Sequence, residues 1–126
     1  MKFFSILFLF CVFSLPAQEV VDAVDKFPEF PGGDKALNKY FKKNIVNPPA
    51  MAKDKEFMGC KCDIKVIINE LGKAISPRIV HSCEHWFGSD KEVLRLINDM
   101  PAWKPAILQN KAVAHYQTIT IYFNKP

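Results

Sequence analysis

The sequence lacks a strong excess of charge of either sign. It has 17 lysines and arginines against 13 aspartates and glutamates, a formal net charge of +4, and the lysines are scattered along the chain. Proteins that bind nucleic acid usually concentrate a much stronger positive charge on one face. We therefore expect no nucleic acid among the partners of this protein.

Repeats, low-complexity tracts, flexible linkers and recognisable catalytic motifs are also missing. Residues 18–126 suit one domain and are too few for two. Cys83 with His81 or His85 is the only pairing of a nucleophile with a neighbouring base, and no nucleophile-elbow or protease signature surrounds it. The sequence therefore predicts a single domain that is not an enzyme and needs no cofactor.

The one long apolar run lies at the N-terminus. Lys2 precedes an uncharged stretch from Phe3 to Leu15, which ends at Pro16 and Ala17. A short basic start, an apolar stretch and a small final residue are typical of a secretory signal peptide. As a helix this stretch would rise only about 20 Å, against a hydrocarbon core about 30 Å thick. We predict a signal peptide over residues 1–17, cleaved after Ala17, and a periplasmic or secreted product that does not span a membrane.

Local patterns then predict a lead-in and the start of a domain. Residues 18–26 are polar with short valine patches and indicate a loose lead-in to a domain over residues 27–126. The proline- and glycine-rich residues 27–33 predict an extended segment and a turn. Asp34 is the expected cap of a first helix, which ends before Pro48.

Residues 60–83 alternate between apolar and polar side chains, which predicts a β-hairpin. Asn69–Gly72 supply turn chemistry, and the expected register places Ile68 opposite Lys73. On this register the two strands share one apolar face, which carries Cys60, Cys62, Ile64, Val66 and Ile68 on one strand and Ile75, Pro77, Ile79, His81 and Cys83 on the other.

A second helix and a last strand complete the predicted fold. Ser89 and Glu92 have the spacing of a capping box at the start of the helix. After a turn near Gln109–Lys111, residues 112–123 predict a strand. The order is α-β-β-α-β, which predicts an α+β, two-layer sandwich with two helices on one face of an antiparallel sheet of about three strands. A sheet this small should have at least one free edge.

Several segments in this order resemble a known family, the C-terminal domain of the periplasmic energy transducer TonB in its Bacteroidetes-type form. They are FPGGDKAL at 30–37, Asn44, PAMA at 49–52, Gly59, Gly72, DKEVLRLINDMPAWKP at 90–105 and QTITIYF at 117–123. The resemblance covers Phe27–Asn124. It implies a protein-binding domain that takes up a short segment of an outer-membrane transporter by strand addition, in transmembrane transport.

The resemblance also implies where the partner lies. The contact residues would be Ile45, Val46, Asn47 and Pro48, and Gln117, Thr118, Ile119, Thr120, Ile121 and Tyr122 of the last strand. The family usually has tyrosine where this sequence has Pro48 and glycine where it has Ala106. The membrane anchor and proline-rich arm of an energy transducer are not found either, so we do not expect this chain to transduce energy alone. A second copy, paired edge to edge as a homodimer, is the other partner to consider.

Cys60, Cys62 and Cys83 are odd in number, so at least one thiol is free, metal-bound or paired between chains. Three interpretations remain open. In an exported protein, Cys60 or Cys62 could form a disulfide with Cys83 across the hairpin. Alternatively, the cysteines are buried free thiols. The third reading is a metal site in which His81 joins Cys60, Cys62 and Cys83, although the spacing matches no standard zinc module. The alternative function is therefore a small periplasmic thiol- or metal-handling protein.

Overall fold

The computed structural model describes residues 19–125, so the predicted signal peptide lies outside the described residues. Within 19–125, no helix is long and apolar enough to cross a membrane. The elements, in chain order, are α1 (Gly33–Asn44), α2 (Pro49–Lys53), β1 (Cys60–Ile68), β2 (Ala74–His81), α3 (Ser89–Asn98), β3 (Ala106–Leu108), β4 (Lys111–Val113) and β5 (His115–Phe123).

The main sheet has three antiparallel strands in the order β2-β1-β5. This confirms the prediction of an α+β fold with a small antiparallel sheet. The chain adds a separate two-stranded sheet, β3-β4, where one continuous strand was predicted over residues 112–123. Gln109 and Asn110, both at positive φ, form the tight turn of this hairpin.

The hydrophobic core lies between the main sheet and the helices. Alternate residues of β1 and β5 are buried, as expected for strands with one covered face. One cluster joins them to residues of α1, α2 and α3: Cys62, Ile64, Val66, Ile68, Ile119, Ile121 and Phe123 of the sheet, with Phe41, Met51, Val93, Leu96 and Ile97 of the helices. No helix of residues 19–125 covers the other sheet face, and we call it the open face.

The predicted register of the hairpin is wrong. Ile68 pairs with Ala74 rather than Lys73, and two irregularities each add one residue to β2, at Ser76-Pro77 and at Val80. An added residue reverses the face on which all following side chains lie. Pro77 within the predicted strand is compatible with an edge or a bulge, but it does not fix where an added residue lies. Ser76 adopts positive φ (51°) although it is neither glycine nor asparagine.

The bulges redistribute the predicted apolar face. Ile79 does lie opposite buried Ile64, but Ile75 pairs with Ile67 and His81 pairs with Asp63, so both belong to the open face. Pro77 is exposed. His81 therefore does not lie on the sheet face that carries the cysteines.

The residues predicted to cap the two long helices, Asp34 and Ser89, lie inside the helices instead, and a glycine precedes each helix. Gly32, at φ 89°, precedes α1, and Asp34 lies within its first turn. Gly88, at φ 98°, precedes α3. The Glu84 carboxylate accepts hydrogen bonds from the backbone N–H of Asp90 (3.0 Å) and of Gly88 (3.3 Å), which lower its pKa. A carboxylate from the preceding loop thus takes the role expected of a capping box.

The lead-in is bound to the domain rather than loose. The N–H of Val21 donates to the Ala114 carbonyl (2.9 Å), and the N–H groups of Asp25 and Lys26 donate to the Ile107 carbonyl (2.8 and 3.1 Å). Composition suggested a loose segment because polar residues carry no core signal, but the β3-β4 hairpin offers backbone groups that these residues pair with.

Candidate functional site

The strand β5 forms one border of the main sheet. It pairs with β1 over its whole length without a register shift, from His115 opposite Ile68 to Phe123 opposite Cys60. On its other side, no strand among the described residues pairs with it. The outer side of β5 is therefore an edge with regular geometry.

Two hydrogen bonds show which residues of β5 face outward. In an antiparallel pair, alternate residues direct both N–H and C=O to the same neighbour. The carbonyl of Ala114, just before β5, accepts from Val21, and the carbonyl of Asn124, just after it, accepts from Asn47 Nδ2 (2.8 Å). The residues of the same parity between them therefore direct their backbone groups away from β1; they are Tyr116, Thr118, Thr120 and Tyr122.

These four outward residues form what we call the β5 window. Within residues 19–125, the only hydrogen bond recorded at its backbone groups is from the neighbouring Gln117 side chain to the Thr118 carbonyl (3.3 Å). Val21 closes one end of the window and Asn47 closes the other. The edge is thus open over a stretch of fixed length.

The segment between α1 and α2 stands beside the end of the window. The Val46 N–H donates to a carboxylate oxygen of Glu92 (2.6 Å), a residue of α3 that is only 8% exposed. Arg95, which also bonds Glu92, donates to the Asn44 carbonyl (2.8 Å). This segment, residues 45–48, is held to α3 by these hydrogen bonds, and we call it the wall.

An open groove runs between this wall, α1 and β5. One part, of about 330 Å³, is lined by Asn38, Phe41, Lys42, Thr120, Tyr122 and Asn124. A second part, of about 470 Å³, shares Lys42, Tyr122 and Asn124 with the first and is also lined by Ile45, Val46 and Asn47. The structure therefore brings parts of the two segments singled out by the resemblance to one groove.

Not every singled-out residue contributes to the groove. Ile119 and Ile121 are 1% and 0% exposed, and Gln117 shares their side of β5, which faces the helices. Pro48 is buried. Ile45, Val46, Asn47, Thr120 and Tyr122 line the groove, whereas Thr118 belongs to the window by its backbone.

Four groove residues were not among the contacts predicted from the sequence: Asn38, Phe41, Lys42 and Asn124. Asn38 and Lys42 are four residues apart and so lie on one side of α1, and Asn124 follows β5. Helical spacing predicts that Asn38 and Lys42 share a side of the helix. It does not indicate that this side meets the edge of β5, because that depends on how α1 packs on the sheet.

The opposite edge of the sheet, formed by β2, has a different construction. Pro77 has no N–H to donate, Ser76 adopts positive φ, and two bulges interrupt the pairing with β1. Arg78 and His81 are exposed on this strand. Proline, bulges and charged side chains are devices that prevent an edge from pairing with another chain.

The cysteines do not form the predicted cluster with His81. Cys60 and Cys83 form a disulfide, with 6.1 Å between their Cα atoms, and Cys62 is a buried free thiol whose pKa is raised to about 11, chiefly by burial. His81 lies on the open face, with Nδ1 2.8 Å from a carboxylate oxygen of Asp63. Among the described residues, no three metal-binding side chains come together.

Asp63 connects the three strands on the open face. One carboxylate oxygen accepts from Thr120 Oγ1 of β5 (2.7 Å), and the other lies beside His81 of β2. Hydrogen bonds from Thr120 and then His81 lower the pKa of this carboxyl. The row His81, Asp63 and Thr120 has the carboxylate in the middle, so it lacks the central base that a catalytic triad requires.

Comparison with known proteins adds no family to this picture: no protein-family model matches the chain, and no curated protein does.

Proposed function

We propose that this protein is an exported domain similar to the C-terminal domain of TonB, and that it binds a partner polypeptide by strand addition to β5. The partner we favour is a segment of an outer-membrane transporter. The observation that carries the proposal is the β5 window, a row of outward backbone groups with no strand beside it in the described chain. Its role is binding rather than catalysis.

The composition of β5 supports use of this edge. From Tyr116 to Asn124 the chain has no charged residue, proline or glycine, and it is rich in β-branched and aromatic residues. A regular edge of this kind favours pairing with another strand. An exposed edge without protection is a hazard to a protein unless a partner uses it.

The groove supports a defined position for the added strand. Main-chain hydrogen bonds provide affinity in strand addition, and pockets for alternate side chains provide specificity. Each hydrogen bond contributes about 0.5–1.5 kcal/mol net. Side chains of the partner on one side would enter the groove between Phe41, Lys42 and Tyr122.

Export is supported by the Cys60–Cys83 disulfide, since disulfides persist mainly in oxidising compartments. Of the six β5 residues predicted as contacts, three bind through their backbone groups in this proposal: Thr118, Thr120 and Tyr122. This accounts for the lack of a side-chain motif in the sequence.

The direct test removes one outward N–H. In Thr118→Pro, the lost N–H points away from β1, so the ladder inside the sheet is kept. We expect the variant to fold but to lose binding to transporter-derived peptides, measured by calorimetry. Thr118→Val, which keeps the N–H, is the matched control and should bind normally.

The peptide offers a complementary test. N-methylation of each bound peptide residue in turn should weaken binding at every second position, because only alternate residues would face β5. Equal binding by Thr118→Pro and the wild-type protein, or an effect of N-methylation without period two, would contradict strand addition. Absence of binding to every transporter segment would contradict the choice of partner.

A further inference from the structure

The open face of the sheet carries more positive than negative charge. In the β1–β5 ladder, Lys61, Lys65 and Ile67 lie opposite Tyr122, Thr118 and Tyr116. On the other side of β1, Arg78 of β2 lies opposite Lys65. The carboxylate of this region, Asp63, is engaged by Thr120, His81 and Lys61.

Lys65 and Arg78 are directly opposite each other in the β1–β2 ladder. Like charges at directly opposed positions destabilise a sheet. Neither side chain forms an ion pair with an acidic residue of the described chain; Lys65 Nζ instead lies 4.4 Å from the centre of the Tyr116 ring. The pair is therefore uncompensated unless an anion from outside the chain binds to it.

A hollow of about 420 Å³ separates these side chains, and its lining is Lys65, Ile67, Ser76, Arg78 and Tyr116. Ser76 reaches the hollow because of the bulge, where its φ is 51°. Bulges commonly redirect a side chain beside a functional site. The hollow thus combines two cations, a hydroxyl group and an aromatic ring.

We propose that this hollow binds a phosphate monoester. Two cations would balance the charge of a phosphate monoester, which is about −1.5 to −2 at neutral pH, better than that of a single carboxylate. The planar guanidinium of Arg78 can bond two phosphate oxygens, and Lys65 supplies a point charge. The Ser76 hydroxyl can donate to a third oxygen.

The site overlaps the strand-binding edge proposed above at one residue. Tyr116 contributes its backbone to the β5 window and its ring to the hollow, but Lys65, Ser76 and Arg78 belong to β1 and β2. The phosphate monoester could belong to a soluble molecule or to a lipid headgroup. Because the two cations and the hydroxyl group lie on β1 and β2, a failure of strand addition at β5 would leave the phosphate proposal intact, and the reverse also holds.

The test uses the mature protein, labelled with ¹⁵N, at a constant ionic strength of about 0.1 M, where charges are screened beyond about 10 Å. Methyl phosphate, dimethyl phosphate and acetate are titrated while amide shifts are recorded. We expect saturable shifts at Lys65, Ser76–Arg78 and Tyr116 with methyl phosphate, and at least tenfold weaker binding of the two monoanions. Vesicles of phosphatidylcholine with and without phosphatidic acid test the lipid source.

Variants locate the site. Lys65→Gln and Arg78→Gln should each weaken binding of methyl phosphate or phosphatidic acid at least fivefold. Lys61→Gln, on the same face and strand but paired with Asp63, should leave binding within twofold of wild type.

Three results would overturn the proposal: no saturable binding to methyl phosphate or to phosphatidic acid vesicles, equal binding of the three soluble anions, or equal loss in the Lys61→Gln control. Arg78→Lys keeps the charge and removes the planar fork. It supports the proposed contact if it binds more weakly than wild type while remaining folded, and it contradicts that contact if its affinity is unchanged.

Discussion

The strands β2 and β5 are both borders of one sheet, but their free edges differ. β2 has Pro77, two bulges and exposed Arg78, all of which hinder pairing with another strand. β5 keeps perfect register with β1 over nine residues and has no such feature along the window.

What differs, therefore, is where each edge is closed. β2 is protected along its length by its own sequence. Within the described part of the chain, β5 is closed only at its ends, by Val21 and Asn47 from distant segments. A protein that needed two closed edges would be expected to interrupt both strands. Whether an edge can accept another strand is therefore set by its side chains and backbone geometry, and not by its position in the sheet.

Loss of the disulfide should lower the free energy of unfolding more than any other change proposed here, and it should act on the β2 side. Replacing Cys60 and Cys83 by serine releases a cross-link between residues 23 apart in sequence, which should lower the free energy of unfolding by about 3 kcal/mol. Urea denaturation measures this. Because the cross-link joins the start of β1 to the loop after β2, hydrogen exchange should accelerate more in β2 than in β5. Equal acceleration in the two strands would argue against an independent β2 border.

A change in the wall should act on the β5 side. Glu92→Leu leaves the Val46 N–H and Arg95 without their shared acceptor, and we expect a loss of about 2 kcal/mol in the free energy of unfolding. Peptide binding at β5 should weaken, and exchange of the Val46 amide should accelerate. Unchanged peptide affinity in a protein with a mobile wall would show that the groove does not contribute to binding. Glu56→Leu, at an exposed acidic residue, is the control.

Asp63 links both edges, so its loss should affect them equally. Its pKa is lower in the folded protein than the ordinary value of about 3.9, so its bonds contribute stability above that pH and this contribution is lost as pH falls through the folded pKa. The stability difference between wild type and Asp63→Asn should therefore shrink below about pH 4. Thermal unfolding of both proteins from pH 3 to 7 measures it, and a difference that grows with acid would contradict this assignment.

The smallest effect should come from the end of the window. Asn47→Ala removes an exposed hydrogen bond to the Asn124 carbonyl and should change stability by less than about 1 kcal/mol. It frees one more outward carbonyl, so a partner peptide extended by two residues should gain affinity in this variant but not in wild type. Competition binding with the short and long peptides detects the difference. If the longer peptide gains equally in both proteins, Asn47 does not limit the window.

Much of the fold could be predicted because its signals are local. The alternation in β1 and the 3.6-residue periodicity of α3 each identify a buried face without reference to the rest of the chain. The hairpin register was missed because Pro77 indicates an edge or a bulge without fixing where the added residue lies. The cap of α3 was missed because Glu84 lies outside the segment that a capping box spans.

The candidate site was predictable only in part. The resemblance singled out both segments, and three of the four wall residues do line the groove. Asn38, Phe41, Lys42 and Asn124 were missed because their contact with the groove depends on how α1 packs across β5. Cys60 rather than Cys62 pairs with Cys83, and the spacing of the cysteines does not decide between these two pairings.

The α+β class, the approximate positions of the main helices and strands, and the buried side of β1 and β5 follow from propensity and periodicity over a few residues, so they can be predicted from the sequence. The hairpin register, the disulfide, the attachment of the lead-in and the open border of β5 depend on tertiary structure. Each of these depends on which backbone groups find partners between segments far apart in the chain, and burial and hydrogen bonding at such distances are set only when the whole domain has packed.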